Sequence, residues 1–165
     1  MNNSSEWEGI SMKNKLTAQI ATCILLVFLG GCFGGIGASS PAPPTPQSEI
    51  RETLDRMIDA YESKNIHVFM SCVSEGYTGE TSELNSAIRR DFSRATNISI
   101  RYTFNNVTSD GKNNAFVAVT FNRSYTDIKT GKQVTGQGET TMNFRKTGDV
   151  YLLHTQHQPP LFGFM

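Results

Sequence analysis

The feature that most constrains this chain is a change of hydrophobic period near residue 97. Before it, apolar residues recur every three or four positions; after it, they alternate. Ile50, Leu54, Met57, Ile58 and Tyr61 share one helical face, with Arg51, Asp55, Asp59 and Glu62 on the other. Ser48 is the expected N-cap, and Glu49 and Glu52 suit a first helical turn. This predicts an amphipathic helix over 48–64. A shorter apolar stretch, 66–73, predicts a second helix, broken by Ser74-Glu75-Gly76-Tyr77, where Tyr77 is expected to begin a short strand. Thr81 or Ser82 is expected to cap a third helix that turns Leu84, Ile88, Phe92 and Ala95 inward.

The alternating half predicts strands over 97–108, 113–127, 133–145 and 150–157. Turns are expected at Asp110-Gly111, Lys129-Thr-Gly-Lys132 and Lys146-Thr-Gly-Asp149, and Pro159-Pro160 ends the last strand. Val117, Val119 and Phe121 share a face, as do Val134, Gly136, Gly138, Thr140, Met142 and Phe144. A sheet with one apolar face needs a cover, which the helices supply. The expected class is α+β: helices on a strongly curved four- to five-stranded antiparallel sheet. Strands this long must coil, and Gly136 and Gly138 are the expected bends.

Residues ahead of the helices read differently. From Met12 the chain runs Met-Lys-Asn-Lys, then an apolar stretch over 16–29, then Gly30, Gly31 and Cys32. A basic start and a short apolar run are the pattern of a signal peptide. Leu29-Gly30-Gly31-Cys32 resembles the lipobox of bacterial lipoproteins. That resemblance implies cleavage between Gly31 and Cys32 and acylation of Cys32, hence a lipid-anchored place in the cell envelope. Phe33 follows where an Asp would favour inner-membrane retention in enterobacteria, so outer-membrane placement facing the periplasm is allowed if the host has one. An uncleaved membrane anchor over 16–36 is the alternative, weakened by five glycines between 30 and 37. Residues 1–11 are polar and acidic, so Met12 is the expected start. A GAG codon for Glu8 would place a purine-rich ribosome-binding sequence upstream of it, and a GAA codon would refute this. The chain then divides into 12–31 as signal peptide, 32–47 as lipidated cysteine and Gly/Ser/Pro-rich tether, and 48–165 as one domain.

Charge excludes one class of partner. The 15 basic and 15 acidic residues are interspersed and cancel, leaving no basic stripe for nucleic acid. Of the three cysteines only Cys72 lies in the domain, among Phe69, Met70 and Val73, so no internal disulfide can form and a buried core thiol is expected. Asn97, Asn106 and Asn122 begin glycosylation-type triplets, read as chance in a bacterial chain.

The order helix, helix, short strand, helix, long meander resembles the nuclear transport factor 2-like superfamily, which includes SnoaL-like cyclases. The likeness covers residues 48–158. Ile58-Asp-Ala-Tyr-Glu-Ser-Lys-Asn65 looks like the end of the family's first helix, and Asp149-Val-Tyr-Leu-Leu-His154 like its final strand. A cystatin-like helix-on-sheet fold is the alternative. The resemblance implies a pocket between sheet and helices, used by some members for catalysis and by others for binding alone. The isomerase branch has a Tyr midway along its first helix, where this chain has Met57. That branch also has a catalytic Asp near the short strand, where this chain has only Glu75 and Glu80, so that reaction is not expected here.

No cofactor is implied: there is no metal-binding Cys/His cluster, no HExxH and no glycine-rich phosphate loop in the domain. Glu75, His154 and His157 are the weak catalytic candidates. His154 and His157 should face opposite sides of a strand, with His157 beside Tyr151 and Thr155. Met57, Tyr61, Tyr77, Tyr102, Phe121, Met142, Tyr151 and His157 are the candidate pocket lining, each equally readable as plain core. Arg101 and Arg123 are expected on the solvated outer face. The leading expectation is a non-enzymatic domain that binds a small apolar ligand or an envelope protein. A pocket enzyme performing proton transfer or hydrolysis, and a structural protein self-associating through its outer sheet face as a homodimer, are the alternatives.

Overall fold

The structure, a computed structural model, describes residues 44–165. The expected signal peptide, Cys32 and most of the expected tether lie outside the described residues. Helix α1 spans Pro46–Glu62, α2 Ile66–Ser71 and α3 Thr81–Arg94. Strands follow as β1 (Ala95–Ser109), β2 (Asn114–Asp127), β3 (Gln133–Thr147) and β4 (Val150–Gln156). They form one antiparallel sheet in the order β1-β2-β3-β4.

Helix α1 begins earlier than Ser48. Thr45 is the N-cap, Pro46 opens the first turn, and Ser48 closes a reciprocal capping box with Thr45. The proline belongs to the helix because its fixed φ suits the first turn and its missing N–H is not needed there. Ile50, Leu54, Met57, Ile58 and Tyr61 are all buried. Lys64, in the left-handed region at φ 58°, turns the chain away, and its amine donates to the Phe92 carbonyl at 3.0 Å. Helix α3 starts at Thr81 without a side-chain cap; Glu80 precedes it at φ 57°.

The expected strand at Tyr77 does not form. Instead the chain touches the sheet one turn earlier, through a single parallel bridge between Val73 and Leu153. The Leu153 N–H donates to Cys72 and the Ser74 N–H to Leu153. Cys72 is buried, as its apolar neighbours predicted, and burial pushes its thiol pKa up.

Neither Gly136 nor Gly138 carries a bulge. The β2–β3 register runs unbroken from Asn114↔Arg145 to Thr126↔Gln133, passing through both glycines. Irregularities lie in β1, between Thr96 and Ser99 and between Phe104 and Asn106, and at the Asn143/Phe144 step of the β3–β4 ladder. Asn97, at φ 51°, makes the first of these, an asparagine in a conformation few other side chains tolerate. Gly138 has a packing role: an added Cβ would stand 2.9 Å from the Phe121 ring and 3.1 Å from Pro159.

Candidate functional site

The space between helices and sheet is filled by the segment that follows β4. Residues 157–165 form no helix or strand, yet Leu161 and Phe162 are fully buried. The Phe162 ring packs on Phe69 at 4.9 Å and on Tyr61 at 5.2 Å between centroids. Phe164 lies beside Tyr125, 5.5 Å away, under the guanidinium of Arg123 at 3.7 Å.

Polar groups fix this segment as closely as apolar ones. The Gln156 side chain donates to the Phe162 carbonyl at 2.9 Å and accepts from the Phe162 N–H at 3.3 Å. Arg123 donates to the Pro160 carbonyl at 2.8 Å, and Thr140 to that of His157 at 2.8 Å. The Asp91 carboxylate accepts from the Phe164 N–H at 2.9 Å, from the Met165 N–H at 3.0 Å and from the Tyr61 hydroxyl. Asp91 is fully buried. Burial, then the neighbouring Asp91, hold the Tyr61 phenol far above its usual pKa, so it stays a donor. Gly163 makes the approach possible: it sits at φ 70°, and a Cβ there would meet Ala87 of α3 at 3.0 Å.

The candidate pocket lining divides between the core and the border of a surface groove. Met57, Tyr61 and Met142 are fully buried, Phe121 and Tyr151 nearly so, all in one core with Phe162 and Leu161. Tyr77 is half-buried against that core. Tyr102 is half-buried against the same core and donates to Asp55 of α1 at 2.5 Å, while Arg51 stacks over Phe104 at 4.4 Å. Tyr102 and Phe121 also border an open groove of about 490 Å³ whose other walls are Arg101, Thr103, Thr120, Asn122, Gln137 and Gly138.

Arg123 lies on the other face from the one expected. Arg101 is exposed, but Arg123 is half-buried, on the same face as Val117, Val119 and Phe121. Strict alternation puts it there, and its long stem and planar head allow it to lie against aromatic rings.

Among the weak catalytic candidates, Glu75 and His157 are exposed. His154 is buried, and the irregularity at Asn143/Phe144 changes its surroundings: Leu153 faces the core opposite Phe144, and Thr155 pairs with Asn143. His157 therefore does not share a continuous face with Tyr151. The His154 ring lies between the hydroxyls of Ser74, 3.1 Å from Nδ1, and Thr78, 3.3 Å from Nε2. Burial, and then the charge of Arg145, hold its pKa below the usual value. Among the described residues no group of three His, Cys, Asp or Glu could hold a metal ion, and no helix is long and apolar enough to cross a membrane.

Asp91 was not singled out from the sequence, though a signal existed. It follows Ile88 by three positions and Leu84 by seven, so a carboxylate sits on the apolar stripe of α3.

No protein-family model matches the chain, and no curated protein matches it by sequence. Solved structures do match. A conserved protein from Planctomyces limnophilus aligns at TM-score 0.60 and 17% identity, covering 67% of this chain and 91% of that one. A ketosteroid isomerase-like protein from Erwinia carotovora atroseptica gives 0.56 and 14%, over 66% and 91%. A nuclear transport factor 2-like protein of unknown function from Shewanella oneidensis gives 0.51 and 14%, over 68% and 98%. The fold is thus nuclear transport factor 2-like: helices against a curved four-stranded antiparallel sheet. At these identities the likeness is one of fold.

Proposed function

We propose that this protein is a lipid-anchored binding domain of the bacterial cell envelope, held by an acylated Cys32, which recognises a small apolar ligand or an envelope protein without chemical turnover. The buried Asp91–Tyr61 pair carries this reading. It is a polar anchor set in an aromatic interior, and the carboxylate accepts from the Phe164 and Met165 N–H groups and from Tyr61. Catalysis by proton transfer needs an acid or base within reach of substrate. Exposed Glu75 and His157 do not face this interior, and His154 is engaged by Ser74 and Thr78.

The anchor rests on Leu29-Gly30-Gly31-Cys32. Incorporation of a tagged palmitate into the expressed chain, lost in Cys32→Ala, is the expected result; equal labelling of both would refute it. Binding is tested by native mass spectrometry of the chain extracted from its own envelope in mild detergent. A bound small molecule or co-extracted protein is expected, and a bare monomer from repeated preparations would count against the reading.

The groove bordered by Arg101, Thr103, Thr120, Asn122 and Gln137 favours a second reading, self-association through the outer sheet face. A monomeric mass independent of concentration would remove it.

A further inference from the structure

Residues 160–165 are held in the manner of a ligand. Burying a carboxylate is costly unless donors surround it. A segment that only completed the core could turn its N–H groups to solvent and meet an apolar residue at position 91. Instead α3 presents a fully buried carboxylate to two successive backbone N–H groups of the segment. Gln156 reads the backbone of Phe162 in both directions, and Arg123 reads the carbonyl of Pro160. All of these are contacts to main chain, which any extended peptide could supply. The side chains that enter are Leu161 and Phe162, both fully buried, and the Phe162 ring meets Tyr61 and Phe69. The connection to β4 is short and exposed at His157, Gln158 and Pro159. The segment can therefore leave without unravelling a helix or a strand.

We infer that the interior is a peptide-recognition site, that residues 160–165 are its resident ligand, and that an extended partner segment binds there by displacing them. The inference rests on the binding reading above and names its ligand class. The partner segment carries an apolar and an aromatic side chain in succession, followed by backbone N–H groups that take over the bonds to Asp91. The resident segment sets the threshold: only the fraction of molecules in which it is out can bind, so apparent affinity falls by that fraction.

A fluorescent acetylated peptide, Pro-Pro-Leu-Phe-Gly-Phe-Met, titrated into the full chain in detergent provides the test. Phe162→Ala/Phe164→Ala weakens the resident segment and leaves Asp91, Tyr61, Gln156 and Arg123 in place. Binding at least about tenfold tighter than wild type is expected, because the competing segment holds on less well. Adding Asp91→Asn to that variant is expected to abolish the gain. A folded double variant that binds no more tightly than wild type overturns the inference.

Hydrogen exchange on the wild-type chain gives an answer even if the variant fails to fold. The Phe164 and Met165 amides are expected to exchange through a local opening that leaves Val119 and Leu153 protected. Equal protection of both sets would make the segment ordinary core and overturn the inference. Native mass spectrometry separates this failure from failure of the binding reading. A bound mass without peptide displacement removes only the peptide assignment, whereas absence of both removes the binding reading as well.

Discussion

Asp91 and His154 are both buried titratable groups with hydrogen-bond partners, and the fold satisfies them by opposite means. Asp91 sits on a helix, faces the interior, and is answered by backbone N–H groups from a segment with no regular structure. His154 sits in a strand, and two side-chain hydroxyls of the 74–78 loop answer it. A carboxylate accepts only, so it must find donors, and backbone N–H groups are the ones that cannot turn away. A neutral imidazole both donates and accepts, so rotatable hydroxyls suit either tautomer. The first arrangement ties the stability of the interior to residues 160–165. The second adds a contribution that varies with pH.

That contrast can be broken by substitution. Phe162→Ala should have the largest effect, a loss of about 4 kcal/mol in urea unfolding, because it empties a packed aromatic site. A loss below about 1 kcal/mol would mean the interior closes without this ring. Asp91→Ala should come next, at about 3 kcal/mol, since it orphans two N–H groups and the Tyr61 hydroxyl. Near-neutrality in the same measurement would show that water replaces the carboxylate, and the two polar centres would cease to differ.

Gly138→Ala is expected to lose about 1–2 kcal/mol, because its methyl must displace the Phe121 ring and Pro159, the residue that leads into the buried segment. An unchanged midpoint would show that Pro159 gives way freely. His154→Ala should cost about 1 kcal/mol at neutral pH, the worth of its hydrogen bonds. The sharper observation is its pH dependence. A histidine whose folded pKa lies below its unfolded value of 6.5 contributes fully above that value. The contribution falls as the pH drops from 6.5 toward the folded pKa, because only the unfolded chain gains the proton. Wild type should therefore lose stability across that window more steeply than His154→Ala. Parallel curves for the two would place the acid sensitivity elsewhere.

Much of the fold was legible because the residues obey their period. The face shared by Ile50, Leu54, Met57, Ile58 and Tyr61 is buried as its spacing required. The three tight turns fall where glycine follows a polar residue, and Gly111, Gly131 and Gly148 all adopt positive φ. Alternation also held in β2 and β3, where it placed Arg123 inward despite its charge. Expectations failed where one residue breaks the count. Sequence carries no mark at Asn143, yet the irregularity there reverses which β4 side chains after Leu153 face the core, and so moves His154 and Gln156.

The site was less legible than the fold. Each candidate pocket residue except the exposed His157 lies on an inward or bordering face, but inward means a cavity only if nothing else fills it. Leu161, Phe162 and Phe164 fill it, and they come after a proline pair that ends the last strand. The sequence by itself determined the elements, their order and their buried faces, because period and turn chemistry are local properties of the chain. Only the tertiary structure decided that residues 160–165 return to the interior and that Asp91 meets them there. Those contacts join positions more than 70 residues apart, and no local preference encodes a pairing at that distance.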